Sequence, residues 1–256
     1  FEAGFQGRFN TKETSTDLYL DEVFTPDFSN SADFESGIYS LYASYSGKIN
    51  NLGYQTGLRT EMEDRTIKVL ETNTEYNTNR WDFFPTIHLS YQLPKDHQLM
   101  ASYTRRTSRL RDWLLFPYLQ YVDAYNVRMG DPTLTPSLID SWEAGYIKQF
   151  KNAQFSTEFY HRVTHDKIDY ILESYENNIA IQKPKNIGKD YATGVEANLN
   201  FKVKKVWEPT IMASIYHYKV DSYSTGQKKT RESNNWDLRL NNNFLLYKNI
   251  TLQANA

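Results

Sequence analysis

Five short turns that contain lysine recur along the chain, at Lys48, Lys95, Lys151, Lys204 and Lys248. They lie 44 to 56 residues apart, and each precedes a segment in which apolar and polar residues alternate. The repeating unit is therefore a hairpin followed by a long connection. A propeller blade has a similar period but packs four short strands into it, whereas each unit here holds two long strands.

Hydrophobicity alternates with a period of two, which places successive side chains on opposite faces of a strand. After Gly194, for example, Val195, Leu199 and Phe201 alternate with Glu196, Asn198 and Lys202. No comparable helical stripe with caps is present, so we predict an all-β fold. The predicted strands lie near residues 1–10, 36–47, 53–64, 80–93, 97–106, 140–150, 153–164, 189–203, 209–221, 233–246 and 249–256.

The predicted strands have the length of strands that cross a bilayer, which takes about 9–11 tilted residues. The predicted long connections, 11–35, 65–79, 107–139, 165–188 and 222–232, alternate strictly with the short turns. Such alternation puts all the tight turns on one side, as in transmembrane barrels. The mean hydropathy is -0.69 and the longest apolar runs span one helical turn, so no transmembrane helix is predicted. We predict an antiparallel up-and-down transmembrane β-barrel, with the Val195 face toward lipid and the Glu196 face toward the lumen.

Several classes of function are excluded or disfavoured by the residues present. The chain has no cysteine, which excludes disulfides, thiol nucleophiles and cysteine-bound metals, and its formal net charge of -2 lacks the signature of nucleic-acid binding. His161 and His165 have the spacing of a helical zinc site, but in a strand four residues span roughly 13 Å, too far for one metal. No catalytic motif is present, and we predict no enzyme, no cofactor and no metal site.

The connection 107–139 is the candidate binding region, because exposed aromatic rings beside arginines recognise sugars, peptides or chelates. Besides Arg109, its candidate ligand-binding residues are Arg111, Trp113, Phe116, Tyr118, Tyr121, Tyr125 and Arg128. The alternative is a loop whose aromatic side chains pack against neighbouring loops. Two groups of acidic residues could hold Ca²⁺, although their spacing is unspecific: Asp17, Asp21, Glu22 and Asp27 in the connection 11–35, and Glu61, Glu63 and Asp64 beside the connection 65–79.

Four motifs, in this order along the chain, resemble those of TonB-dependent outer-membrane receptors. Gly130 to Tyr146 reads G-D-P-T-L-T-P-S-L-I-D-S-W-E-A-G-Y and resembles the family's G-N-P-x-L-x-P-E…E-x-G-Y motif, which ends a long extracellular loop. The other three are G-L-R-T-E from Gly57, Y-T-R-R from Tyr103 and G-V-E-A from Gly194. Asp131 stands where the family usually has Asn, and Ser137 where it has Glu.

The resemblance implies that residues 1–256 are part of one outer-membrane barrel domain of a Gram-negative cell, about half of a barrel of roughly 22 strands. We expect about 11 strands here, the last truncated, and further strands before Phe1 and after Ala256. The resemblance also implies a receptor that contacts outer-membrane lipid and takes up a nutrient larger than porins pass, driven by an inner-membrane energy-coupling complex. Two alternatives remain: a barrel of the same family that serves adhesion or secretion, and a soluble secreted β-rich glycan-binding protein. An upstream plug domain would separate the first from a transporter, and detergent dependence would separate the second.

Overall fold

The computed structural model of the chain describes residues 1–17, 19, 20, 22–25, 29–123, 125–175, 179–204, 206–224, 227–247 and 250–255. The long strands are β1 (Glu2–Thr16), β4 (Asn30–Ile49), β5 (Leu52–Val69), β6 (Thr74–Leu93), β7 (His97–Ser108), β10 (Ser137–Gln149), β11 (Ala153–Ser174), β12 (Ala180–Phe201), β13 (Trp207–Ser224) and β14 (Gln227–Tyr247), followed by β15 (Ile250–Asn255). The short strands are β2 (Tyr19–Leu20), β3 (Val23–Phe24), β8 (Leu119–Tyr121) and β9 (Asn126–Met129).

The eleven strands from β1 to β15 on the main path of the sheet are each antiparallel to the next one along the chain. This is the up-and-down order that the alternating turns predict, and the all-β prediction is confirmed. Within the described residues, β1 pairs only with β4 and β15 pairs only with β14. The sheet is therefore open at both edges. No helix in the described part of the chain is both long and apolar enough to span a membrane.

The strands extend well beyond their predicted ends, and β11 and β12 have 22 residues each. The prediction of long connections at 65–79, 165–188 and 222–232 is therefore wrong. Backbone pairing continues to Val69 opposite Thr74 and to Ser174 opposite Ala180. The reason is that a hairpin can continue to pair in water after its apolar pattern ends, because ladder hydrogen bonds need no apolar side chains. We call the end of the sheet far from the short turns its distal end.

The short turns are confirmed where the structure describes them. They lie at 50–51, 94–96 and 150–152 and within 202–206, while Lys248 lies outside the described residues. Asn50, Lys95, Asp96 and Lys204 have φ between 51° and 61°. Tight turns between strands require positive φ, which asparagine and aspartate tolerate better than most residues. This requirement explains why Asn and Asp recur at the turns.

The two faces of the sheet have opposite chemistry. Val195 lies opposite Phe159 on one side and Ile215 on the other, and these apolar side chains share the outer face. Glu196 lies opposite Glu158 and shares the inner face with it. The predicted grouping of residues by face is thus confirmed.

The outer apolar band has the height of a membrane core. On β6 it runs from Trp81 to Tyr91 through Phe83, Ile87 and Leu89, all exposed. Ten residues span roughly 33 Å along a strand, or about 25 Å across the membrane at a tilt of about 40°. This equals the band of outer-membrane barrels.

Aromatic side chains flank the short turns, as the sequence predicts. The rings of Tyr45 and Tyr54 lie 5.9 Å apart across the first of these turns. Trp207 contacts Phe201 at 6.1 Å and stacks on Phe244 at 5.9 Å, with ring planes only 2° apart. Rings of this kind are favoured at a membrane–water boundary, because their faces are apolar and their edges carry polar groups.

Candidate functional site

Residues 109–136, between β7 and β10, fold back over the inner face of the sheet, and we call this segment the cover. It contains a 3-10 turn (Asp112–Leu114) and the β8–β9 hairpin. β9 runs parallel to the distal end of β12, with Val127 opposite Ile181. The Ala180 N–H also donates to the Tyr125 carbonyl at 2.8 Å. The cover is thus joined to the barrel wall by backbone hydrogen bonds.

A small apolar core lies between the cover and the wall. Phe116 of the cover is 2% exposed, and its ring meets that of Phe34 of β4 edge to face, with the centroids 6.5 Å apart. The ring of Tyr118 stacks on the Phe116 ring, with the centroids 5.6 Å apart. Ala32, Ile67, Leu115 and Leu134 complete this buried cluster. Burial raises the pKa of the Tyr118 hydroxyl above its usual value. Phe116 and Tyr118, two of the candidate ligand-binding residues, therefore pack inside the protein and hold the cover in place.

The motif that begins at Gly130 closes the cover. The Gly130 N–H donates to the Phe116 carbonyl and the Asp131 N–H to the Leu114 carbonyl, both at 2.8 Å. A Cβ atom at Gly130 would lie 2.6 Å from the Phe116 carbonyl oxygen and 2.7 Å from the Leu114 carbonyl oxygen. Only glycine fits here, because the obstructing atoms belong to the backbone and cannot rotate away.

Asp131 and Ser137, the two residues that depart from the family motif, each form hydrogen bonds with nearby groups. Asp131 Oδ1 accepts hydrogen bonds from the Thr133 backbone N–H at 2.8 Å and the Thr133 hydroxyl at 2.6 Å. An asparagine oxygen would accept the same bonds, so the exchange preserves the turn. The Ser137 hydroxyl donates to the Asp166 carbonyl at 2.9 Å and ties the start of β10, directly after the cover, to β11.

Two side chains of the wall bind the motif backbone. Arg65 of β5, 2% exposed, reaches the carbonyls of Pro132 and Leu134, each at 3.4 Å. Asn186 of β12 accepts from the Thr135 N–H at 3.0 Å and donates to its carbonyl at 2.9 Å. Neither residue was among the candidates, because a single Arg or Asn in a strand carries no distinctive pattern.

A stacked aromatic pair marks the other side of the cover. Trp113, 39% exposed, lies parallel to Tyr170 of β11 with centroids 6.2 Å apart and planes 9° apart. The two rings line a cavity of about 430 Å³ together with Arg111 and Lys167. Lys167 is paired with Asp190 of β12 at 2.8 Å. The cavity thus combines aromatic surface with the guanidinium groups of Arg109 and Arg111, the former paired with Glu61, and with one lysine neutralised by Asp190.

A β-bulge precedes Tyr170 along β11. The register of β11 against β12 shifts after Thr164, where Asp166 has φ of 51°. Opposite the bulge, Gly188 has φ of 144°, and a Cβ there would lie 2.2 Å from the Asp221 carbonyl oxygen. Bulges increase local twist, but the register is restored from Ile168 onward, so Tyr170 pairs with Pro184 as it would in an uninterrupted ladder. Tyr170 was missed as a site residue because it falls in a segment that we predicted to be a connection.

The remaining candidates lie on the β8–β9 hairpin. Tyr121 ends β8, Tyr125 is 74% exposed at the turn, and the Arg128 Nε donates to the Gln182 side chain at 3.1 Å. The Asp123 carboxylate accepts from the Tyr125 N–H and the Asn126 amide, and these bonds hold the pKa of Asp123 below its usual value. The seven candidates therefore divide between a buried core, the stacked cavity and the exposed hairpin.

The inner wall below the cover carries a network of charged side chains. Glu61 is bound by Arg59 at 2.7 Å and by Arg109 of the cover at 2.5 Å. Glu143 accepts from Ser141 at 2.9 Å and lies 3.6 Å from Arg162. Of the acidic residues considered for Ca²⁺, Asp21 and Asp27 lie outside the described residues. No group of three potential metal ligands occurs within the described ranges.

His161 and His165 both lie in β11, on its outer face, although His165 is the first residue of the predicted connection 165–188. The His161 Nδ1 is 2.7 Å from the Thr193 hydroxyl. The His165 Nε2 is 3.0 Å from Asp140, which also binds Arg105 and Tyr103. Each histidine therefore has its own neighbour, and the two do not converge on one point.

An apolar outer band, a charged inner wall, tight turns at one end and a folded cover at the other define the wall of a transmembrane β-barrel. The chain belongs to the outer membrane protein beta-barrel family, whose model matches residues 1–256. It is therefore a protein of the Gram-negative outer membrane. Membership of this family excludes the alternative of a soluble secreted protein.

Solved structures of low sequence identity share the fold. The hemophore receptor HasR of Serratia marcescens, solved with its hemophore HasA and heme, is 10% identical with a TM-score of 0.59 over 98% of this chain and 55% of that one. The ferric yersiniabactin uptake receptor FyuA of Yersinia pestis is 10% identical with a TM-score of 0.57 over 94% and 43%. The siderophore receptor PirA of Pseudomonas aeruginosa is 10% identical with a TM-score of 0.51 over 98% and 60%.

The chain spans about half the length of these structures. Its fold is that of TonB-dependent receptor barrels, as the four motifs predict. No curated protein matches the sequence.

The sidedness of the sheet gives a first prediction. Because short turns face the periplasm in such barrels, cysteines at Lys95 and Lys151 should stay unlabelled when intact cells meet a membrane-impermeant thiol reagent. A cysteine at Asp123 in the cover should be labelled. The chain has no cysteine of its own to interfere. Labelling at the two turns with none at Asp123 would show that the orientation is inverted.

Proposed function

We propose that this chain is the wall of a receptor that takes up a nutrient too large for porins, and that the nutrient binds on the Trp113 side of the cover. The observation that carries the proposal is the stacked pair of Trp113 and Tyr170 beside Arg111 at a cavity of about 430 Å³. The cover lies at the distal end, away from the short turns. In an outer-membrane barrel this end faces the medium, where a ligand first arrives.

The chemistry of the cavity suits a ligand with planar or apolar surface and some negative charge. Aromatic and arginine side chains supply most of the binding energy at recognition surfaces, because they bury large areas at a small entropic cost. The ligands of two structural neighbours, ferric yersiniabactin and heme carried by a hemophore, belong to this chemical range. Energy for uptake would come from an inner-membrane coupling complex, which the resemblance to TonB-dependent receptors implies.

The test uses the complete protein, in which Trp113 and Tyr170 are both replaced by alanine. Uptake is measured as growth on heme, ferric siderophores, oligosaccharides or peptides as the limiting nutrient. We expect uptake at limiting concentration to fall about tenfold or more, because each aromatic contact of this type contributes at least 1–2 kcal/mol. The amount of protein in the outer membrane should not change.

Trp236→Ala is the matched control, because Trp236 is 78% exposed on the outer, lipid-facing side of β14. It should leave uptake unchanged at equal protein level. If growth on none of the nutrients depends on the protein, the proposed uptake function is wrong, and the adhesion or secretion alternative is favoured. If uptake depends on the protein but not on the two rings, the ligand binds elsewhere.

A further inference from the structure

We propose that a second cavity, on the opposite side of the cover, binds a small oxyanion of the size of phosphate. This cavity of about 170 Å³ lies between the cover and the inner faces of β1, β4 and β5. Its polar lining comes from Arg8, Asn10, Ser36, Arg65 and Arg109 together with the carboxylates of Glu63 and Asp112. The proposal goes beyond nutrient uptake and does not depend on it.

Three arginines reach this cavity from three different segments. Ser36 of β4 lies directly opposite Asn10 of β1 and Arg65 of β5, so one row across the sheet presents a hydroxyl, an amide and a guanidinium. Arg8 lies in the next inward-facing row, and Arg109 descends from the cover. Arginine donors in several directions match the oxygens of a tetrahedral anion.

The walls of the cavity are partly apolar. Phe34, Leu110, Leu115 and Pro136 line it, and Phe34 and Leu115 are buried. Charge–charge attraction is stronger beside such surfaces than in open water. A volume of about 170 Å³ holds an ion of this size together with several waters.

The cations around the cavity outnumber the acids. Glu61 is shared by Arg59 and Arg109, Glu63 lies 3.5 Å from Arg65, and Asp112 lies 3.8 Å from Lys12. Of the side chains that line the cavity itself, three are cationic (Arg8, Arg65 and Arg109) and two are acidic (Glu63 and Asp112), an excess of one positive charge. Arg8 forms no ion pair with any described residue.

Arg65 adds an independent observation. It is 2% exposed, and its Nε has no hydrogen-bond partner within the described part of the chain. The bonds of its Nη2 to the Pro132 and Leu134 carbonyls are long, at 3.4 Å each. A buried guanidinium with an unused N–H is costly. An oxyanion in the cavity would supply a negative charge and further acceptors next to this group.

The test measures binding of inorganic phosphate to the complete detergent-solubilised protein by isothermal titration calorimetry at low ionic strength. We expect one phosphate per chain, with binding that weakens as salt rises. Arg8→Gln should weaken phosphate binding about tenfold or more, the effect of losing one hydrogen bond to a charged group. Ser36→Leu, which fills the cavity without changing its charge, should abolish phosphate binding. It is the second test variant if Arg8→Gln does not fold.

Arg239→Gln is the matched control, because Arg239 also faces inward but lies on β14, far from this cavity. It should leave phosphate affinity unchanged. The proposal is overturned if no saturable binding is found, or if Arg239→Gln weakens binding as much as Arg8→Gln does. Neither result would affect the uptake test, which concerns the other side of the cover.

Discussion

Replacing Ala213 by arginine should lower the free energy of unfolding of the complete barrel by roughly 2–4 kcal/mol. Ala213 lies on the outer face of β13, between Ala197 on β12 and Leu238 on β14, in the middle of the apolar band. A guanidinium there must leave water for hydrocarbon, which is costly at the midplane and less so near the interfaces. Urea unfolding of the protein refolded into lipid bilayers measures the change.

Ser214→Arg is the matched control, because Ser214 is the next residue, is similarly small and faces inward. It lines a cavity of about 380 Å³ with Glu196 and Asp237, so an arginine finds both room and opposite charge. We expect a cost below about 1 kcal/mol, as for other solvated substitutions. Equal costs for the two variants would show that both faces meet the same medium, which is incompatible with a membrane barrel.

Replacing Phe116 by alanine should destabilise the cover by about 3–5 kcal/mol, the usual cost of removing a buried phenylalanine. Its ring contacts Phe34 and Tyr118 in the core between the cover and the wall. Because the strands of the wall are joined by their own hydrogen bonds, we expect the loss to appear as local opening of residues 109–136. Hydrogen exchange of the backbone amides measures it, and the Gly130 N–H, bound to the Phe116 carbonyl, is a direct reporter.

Tyr125→Ala is the control in the same segment, because Tyr125 is 74% exposed. The free energy of opening of the cover, measured by hydrogen exchange, should change by no more than about 0.5 kcal/mol. If Phe116→Ala leaves the amides of the cover as protected as Tyr125→Ala does, the apolar core does not hold the cover in place.

Much of the barrel wall could be predicted from the sequence. The alternation around Val195 and Glu196 assigned those residues to opposite faces, and the structure places them so. Turn chemistry located the hairpins, because Asn50 and Lys95 occupy the positive-φ positions that a tight turn imposes. These features are local: each follows from a residue and its near neighbours in the chain.

Strand length was underestimated because the prediction used only local features of the chain. Beyond the apolar band, β11 continues with Ile168, Asp169, Tyr170 and Ile171, which do not alternate regularly, and a segment without regular alternation is typical of a connection. Its pairing depends on the adjacent strand, which supplies the hydrogen-bond partners as far as Ser174 and Ala180. The prediction was therefore accurate inside the membrane band and wrong at the distal end, where Tyr170 lies.

The sequence by itself determined the all-β class, the two faces of the sheet and the family motif, because alternation and turn conformation are properties of short segments. Only the tertiary structure decided which aromatic residues of the cover are buried and which are available to a ligand. Phe116 is buried because Phe34 and Ile67 come from strands distant in the chain, and Trp113 gains its partner only because the cover folds back onto Tyr170 of β11. Burial depends on which surfaces meet in space, and one sequence contains that information only through the complete fold.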